Sequence, residues 1–363
     1  MTGTVDTRPA TEGPSAPAPA RPRGMFALGR WLALPVGLTS VLAAVGTVAL
    51  IVVAGVATLS MGRLGIPLGE LPNALTGGAE GKELFVLDRL RGPRLTVAIG
   101  AGAALGLSGA LFQSVTRNPL GSPDVIGLGA GAGAGAAVVA LRMPDTIPVP
   151  LGALIGAAAA VTLVYFSTGT GFRDPGRLIV AGIGVAAIAT AIIQYVVYAV
   201  ERDRATALAS YVSGSLAAKS WDDARTIGLV LLVLVPLTWL LARRLDIGEM
   251  GDEIAAALGG EPKRTRAMAV LLSVLLSAGA ISVAGPVSFI ALTAPQIARR
   301  LTGAWGAHLT LSALMGALLL VTADLAAQQL PLEDRLPVGV YTMAIGGVYL
   351  GYLLTREWRK GRL

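Results

Sequence analysis

Ten apolar stretches, bounded by charges, prolines or glycines, leave this chain few ways to fold. They are read at about Leu32–Leu59, Leu95–Val115, Val125–Leu141, Pro150–Ser167, Leu178–Val200, Thr226–Leu241, Ala267–Ala284, Val287–Arg299, Leu309–Gln328 and Val338–Leu354. Crossing the hydrocarbon core takes about 20 apolar residues as a helix, the form that satisfies every backbone polar group within one segment. Most stretches approach or exceed that length. The third and eighth are short, so the pattern admits ten spans or eight. Charged residues are 14% of the chain, where a soluble domain carries about 25%. The expected fold is an all-α polytopic membrane protein with no room for a large soluble catalytic domain.

Lysine and arginine set its orientation. With the N-terminus cytoplasmic, most of the 29 basic residues fall on the cytoplasmic side, including Arg117, Arg243, Arg244, Lys263, Arg299 and Arg356. The bias supports cytoplasmic N- and C-termini and an even number of spans. Residues 1–24 are rich in Pro, Ala, Thr and Gly and read as a disordered cytoplasmic tail. Residues 25–363 read as one transmembrane domain. The net charge of +7 then reflects topology and predicts no nucleic-acid partner.

Several chemistries are excluded. The chain has no cysteine and one histidine, His308, so thiolate chemistry and a histidine metal cluster are both out. It lacks a G-x-x-x-x-G-K-[ST] phosphate loop, a G-x-S-x-G elbow and an H-E-x-x-H zinc motif. No enzymatic site and no bound cofactor are expected. Intramembrane carboxylates are equally scarce. Asp324 is the one relay candidate, too little for a proton-coupled carrier. The driving force is expected from elsewhere.

The stretch Arg91–Gly127 carries the most information. A charged edge and a proline lead into a span, which ends in Arg117-Asn118-Pro119-Leu120-Gly121-Ser122-Pro123. Two prolines and a glycine there break the helical ladder. Broken backbone beside a span is tolerated where protein or a water-filled path covers it. Polar residues recur inside spans: Ser108, Gln113 and Thr116 in the second, Thr190, Gln194 and Tyr198 in the fifth, and Thr293 and Gln296 around Pro295. They admit two readings, a polar-lined path or hydrogen bonds between helices worth about 0.6 kcal/mol each. Gly127, Gly131 and Gly135 form a G-x-x-x-G-x-x-x-G series, read as close helix packing. In the loop at about 243–266, Gly251–Leu258 reads as a two-turn helix. Asp252 and Glu253 sit in its first turn, Ile254 and Leu258 share an apolar face, and Gly259 stops it. Docking of a partner and lying on the membrane both fit that pattern.

Four stretches, in order, carry a family resemblance. RGPRLTVAIGAGAALGLSGALFQSVTRNPLGSPDVIGLGAGAGAG, GDEIAAALGG, AISVAGPVSFIALTAPQIARRL and LPVGVYTMAIGG together resemble the FecCD-type permeases. These are membrane subunits of bacterial ABC importers for ferric siderophores, haem and cobalamin, and the likeness is greatest to the ferric-enterobactin type. The resemblance implies ten spans in a type II importer fold, in the bacterial cytoplasmic (inner) membrane. It implies a paralogous second permease around a central path, two ATPase subunits carrying ATP and Mg, and an external binding protein. Asn118, Pro119 and Leu120 match a segment near the cytoplasmic gate. Gly251, Asp252, Glu253, Ile254, Leu258 and Gly259 match the coupling segment. Arg91 and Arg94 match arginines that meet carboxylates of the binding protein, each exposed pair contributing about 0.2–1 kcal/mol. Gln296 stands where the family commonly has His. Gln328 stands where some members have a third docking Arg, with Arg335 nearby.

Overall fold

The computed structural model describes residues 26–28, 32–34, 37–143, 146–169, 174–199, 212–303, 306–330 and 336–359. The N-terminal tail at 1–24 and Arg335 lie outside them. Phe26–Leu28 and Leu32–Leu34 pair as a short antiparallel ladder. Helices follow at nearly every predicted position: α1 (Leu38–Ser60), α2 (Gly92–Thr116), α3 (Leu128–Arg142), α4 (Val149–Ser167) and α5 (Pro175–Ala199). The chain continues through α6 (Trp221–Glu249), α7 (Asp252–Ala257), α8 (Pro262–Ala284), α9 (Ile290–Thr302), α10 (Leu309–Gln329) and α11 (Val338–Arg359). Among the described residues, seven helices are long and apolar enough to cross a membrane, and α3 and α11 are shorter apolar helices.

Several helices depart from the predicted stretches, and three of the departures have a clear local reason. The first helix starts at Leu38, not Leu32, after Gly37 in extended backbone (φ −63°, ψ 142°). The sixth runs well past Leu241 to Glu249 and starts earlier, at Trp221. Ser220 accepts from the Asp223 amide while the Asp223 carboxylate accepts from the Ser220 amide, a capping box that hydropathy does not see. The supposed loop at 243–266 is therefore helical up to Glu249. Third, Pro295 does not interrupt α9. It removes the amide that would have bonded the Ala291 carbonyl. That carbonyl instead closes on Gly109 of α2, where any Cβ would overlap it.

Helix α2 is the hub. From Ala104 to Val115 its residues are buried without exception, and α6, α8, α9 and α10 pack around it. Its small residues allow this. Gly102 and Gly106 meet Gly316 and Ser312 of α10 backbone to backbone, with no room for a side chain on either glycine. The Gly/Ala series of α3 does the same against α4: a Cβ on Gly135 would overlap the Gly152 carbonyl, and one on Gly131 would lie 2.8 Å from that of Gly156. Gly133 faces side chains alone, the movable tip of Ile193 at 3.0 Å and Val212 at an ordinary 3.6 Å. Hence Gly135→Ala should destabilise the chain by about 1–3 kcal/mol and Gly133→Ala by less than about 1 kcal/mol. Thermal denaturation of the purified variants reads the difference; equal shifts would end the close-packing account of this series.

The segment 61–91 between α1 and α2 is mostly short helical turns, Leu71–Asn73, Ala74–Gly78, Gly81–Phe85 and Val86–Arg91. Leu59, Ile66, Leu71, Ala74 and Val86 form a small core of its own beneath it.

Candidate functional site

The two ends of α2 gather the polar groups of the bundle. At the C-terminal end the helix stops at Arg117, whose backbone is left-handed (φ 48°). Asn118 then makes a tight turn: its side-chain oxygen accepts from the Leu120 amide at 2.9 Å, and its carbonyl accepts from the Gly121 amide at 2.9 Å. Asn118, Pro119 and Leu120 are exposed. One side chain hooks this segment to the bundle. The Gln296 amide donates to the Pro119 carbonyl at 2.9 Å and to the Gln113 side-chain oxygen at 2.8 Å, and Gln113 donates to the Leu292 carbonyl at 3.0 Å. Gln113 and Gln296, 183 residues apart, thus join α2, α9 and the broken segment in one buried network.

Helix α7 is bound to the same end. Arg117 donates to the Asp252 carboxylate and, at 2.7 Å, to the Gly248 carbonyl at the end of α6. Arg266 of α8 donates to both Asp252 oxygens at 3.1 Å. Gly251, at φ 126°, makes the turn between α6 and α7, in a conformation that disfavours a side chain. A second junction lies alongside: Glu249 accepts from Ser114 at 2.9 Å and from Arg299 at 3.2 Å. On the other face of α7, Ile254 and Leu258 are exposed at 46% and 65%. A helix held on its inner side by ion pairs presents that apolar pair outward, together with Glu253. Gly259, at φ 77°, ends it.

At the other end of α2 lies a cavity of about 530 Å³. The described residues that line it include Arg63, Arg89, Arg91, Arg94, Gln328 and Gln329, and no carboxylate is among them. Two of these arginines also bind within the chain. Arg91, 8% exposed, donates through Nη1 to the carbonyls of Thr58 (2.6 Å), Leu59 (3.2 Å) and Met61 (2.6 Å), closing the C-terminus of α1. Arg94 forms a two-pronged pair with Asp324 of α10, Nε at 3.0 Å from both oxygens and Nη2 at 2.7 Å. Gln328 donates to the same carboxylate at 2.7 Å. In the sequence, Arg91 and Arg94 read as free external charges and Asp324 as a lone acid. The partners lie about 30 and 230 residues away, beyond any local pattern. Among the described residues Arg63 has no such partner, and Arg89 pairs only with its neighbour Asp88 at 3.4 Å.

The expected path residues separate into two groups. Ser108 and Gln113 are 0% and 1% exposed; Ser108 donates to the Ser273 carbonyl at 2.6 Å, and Thr116 donates back to the Phe112 carbonyl at 2.8 Å. Ser108 and Gln113 join helices, the second of the two readings above. Thr190, Gln194 and Tyr198 point outward from α5, with Tyr198 at 92% exposure. No cluster of three metal-ligating side chains occurs among the described residues.

A bundle of apolar helices around one buried helix, with a basic vestibule at one end and a docked surface helix at the other, defines a multi-pass membrane permease. Residues 50–356 match the FecCD transport family, and the chain belongs to it. Among its relatives is the ferric enterobactin transport system permease FepG of Escherichia coli K12, 41% identical over 85% of this chain and 94% of that one. The Fe(3+)-citrate import permease YfmE of Bacillus subtilis 168 is 35% identical (86% and 94%), and the hemin transport permease HmuU of Yersinia pestis 31% (85% and 93%). A solved structure described as an inward-facing metal-chelate type ABC transporter shares the fold, with a TM-score of 0.74 at 23% identity over 87% of this chain and 99% of that one.

Proposed function

We propose that the chain is the permease subunit of an ATP-driven importer that carries ferric siderophores across the bacterial inner membrane. The observation that carries this reading is the Arg117–Asp252–Arg266 junction, which ties the exposed segment Asn118-Pro119-Leu120 to a surface helix. A helix so placed passes the movement of a docked partner directly to the end of α2. In this reading Gly251–Gly259 receive an ATPase subunit, two such subunits serve the complex, and ATP and Mg sit on them. Asn118, Pro119 and Leu120 form the inner gate. Exposed Thr190, Gln194 and Tyr198 face a path completed by a second, paralogous permease.

An external binding protein delivers the chelate to the arginine-lined vestibule. Arg63 and Arg89, on the rim, are better disposed to meet its carboxylates than Arg91, which is closed over by α1. Arg63 and Arg91, which pair with no carboxylate among the described residues, also favour an anionic iron chelate over a neutral cobalamin.

Uptake of radiolabelled iron by vesicles containing the full complex tests the reading. ATP-dependent uptake of a catecholate chelate is expected, abolished without the ATPase. Uptake by this chain alone, in the absence of any ATPase, would identify a secondary transporter instead. Arg63→Glu combined with Arg89→Glu should weaken docking of the binding protein, more at low salt than at high salt. Unchanged docking at low salt would remove both from the site.

A further inference from the structure

Beside the inner end of α2, on the side of α9 turned from Arg299 and its Glu249 junction, the last turn of α9 meets α11 in an arrangement that neither gate nor vestibule uses. The Arg300 guanidinium lies over two rings at once, 5.7 Å from the centroid of Tyr349 and 5.8 Å from that of Tyr352. The two ring centroids are 6.4 Å apart, and the two cation–π contacts hold the guanidinium against this face of α11. Yet among the described residues its buried Nη1 has no hydrogen-bond partner, and neither has the buried Tyr349 hydroxyl. Leaving a buried donor unsatisfied costs about 1–3 kcal/mol, more for a charged one. Two such donors on residues in cation–π contact are unusual unless one acceptor serves both. Arg356 adds a second positive charge. Tyr349, Tyr352 and Arg356 stand at i, i+3 and i+7 on α11, one face of the helix.

The surroundings point to the membrane. On the same helix Ile345, Val348 and Tyr352 are 42%, 76% and 55% exposed, and Leu301 beside Arg300 is 53% exposed. Tyrosines and arginines next to an exposed apolar surface are the residues that settle at headgroup level. The acceptor that satisfies two donors and a nearby guanidinium is an oxyanion with several oxygens.

We propose that Arg300, Tyr349 and Arg356 form a binding site for the phosphodiester of an anionic lipid headgroup. Arg300 Nη1 and the Tyr349 hydroxyl donate to its oxygens, Arg356 balances its charge, and the acyl chains lie along the exposed face of α11. In the bilayer the exposed Tyr352 side chain turns aside to admit the headgroup to the two buried donors, and the site stands or falls independently of the transport reading.

Native mass spectrometry and thermal denaturation of the full chain in detergent, titrated with short-chain phosphatidylglycerol, test it. Phosphatidylglycerol should bind as a retained adduct and raise the denaturation temperature, with phosphatidylcholine markedly weaker. Arg300→Gln should lower phosphatidylglycerol affinity about tenfold, the loss expected for a charge-assisted hydrogen bond. Tyr349→Phe, which removes only the hydroxyl, should lower it about threefold and keeps the test valid if the arginine variant does not fold. Equal affinity in wild type and Tyr349→Phe would overturn the site. Equal stabilisation by inorganic phosphate at the same concentration would overturn the lipid as its ligand.

Discussion

Asp324→Ala should destabilise the chain by about 2–4 kcal/mol, read as a large fall in denaturation temperature in detergent. Asp324 is 1% exposed on α10 and accepts three bonds from Arg94 and one from Gln328. Removing it strands a guanidinium that keeps only 22% of its side-chain exposure. Breaking a buried pair on one side typically costs about 3–5 kcal/mol, and the water that reaches Arg94 recovers part of that. Replacing both partners, Arg94→Leu with Asp324→Leu, should restore most of the stability, because no charge is left unpaired. This double variant also separates two roles. If Arg94 serves only to join α2 to α10, affinity for the delivering protein should be unchanged; a loss would give it a part in docking as well. An Asp324→Ala variant within about 0.5 kcal/mol of wild type would show that the pair contributes little.

Arg117→Gln should leave the fold intact but cut chelate uptake about tenfold or more while ATP hydrolysis continues. The pair with Asp252 is exposed on both sides, 43% and 48%, so its loss should change stability by less than about 1 kcal/mol. Its effect is positional. Arg117 is the residue at which α2 ends, and its guanidinium reaches both α7 and the end of α6. If α7 couples as proposed, its movement should no longer reach Asn118-Pro119-Leu120 without Arg117. The ratio of ATP hydrolysed to iron moved measures this directly, and an unchanged ratio would dismiss the lever. The junction should also resist acid. Desolvation raises the Asp252 carboxyl, but hydrogen bonds and charge from Arg117 and Arg266 outweigh it and hold the group below its ordinary value. A depressed folded-state value means the contribution is complete above the unfolded value and is lost only as pH falls through the lower folded one. The junction is therefore fully formed at neutral pH, and titration of Asp252 followed by NMR should show the transition displaced to more acid pH.

Much of the architecture was legible before any coordinates. Apolar length marks a span because the bilayer forbids unsatisfied backbone, and the broken end at Pro119 is visible because proline cannot continue a ladder. The short helix after Gly251 could be read from its acidic first turn and glycine stop, and it forms at Asp252–Ala257. The G-x-x-x-G series could be read as packing, and Gly131 and Gly135 do meet backbone. Less could be read at the boundaries. The extension of α6 past Leu241 to Glu249 carries charges that hydropathy excludes, and the capping box at Ser220 contributes nothing to an apolar average.

The sequence alone determined the number and spacing of apolar segments, the helix that breaks, the short surface helix after Gly251 and the family to which the chain belongs. These are local properties, set by propensity, by glycine and proline, and by the demand that backbone polar groups be satisfied within a segment. Only the tertiary structure decided which polar side chains meet. It paired Arg94 with Asp324, Gln113 with Gln296 and Arg300 with Tyr349, and it turned Thr190 and Tyr198 outward while burying Ser108. Hydrogen bonds and ion pairs act over about 3 Å in space and take no account of distance along the chain, so a single sequence lists the charges without showing their partners.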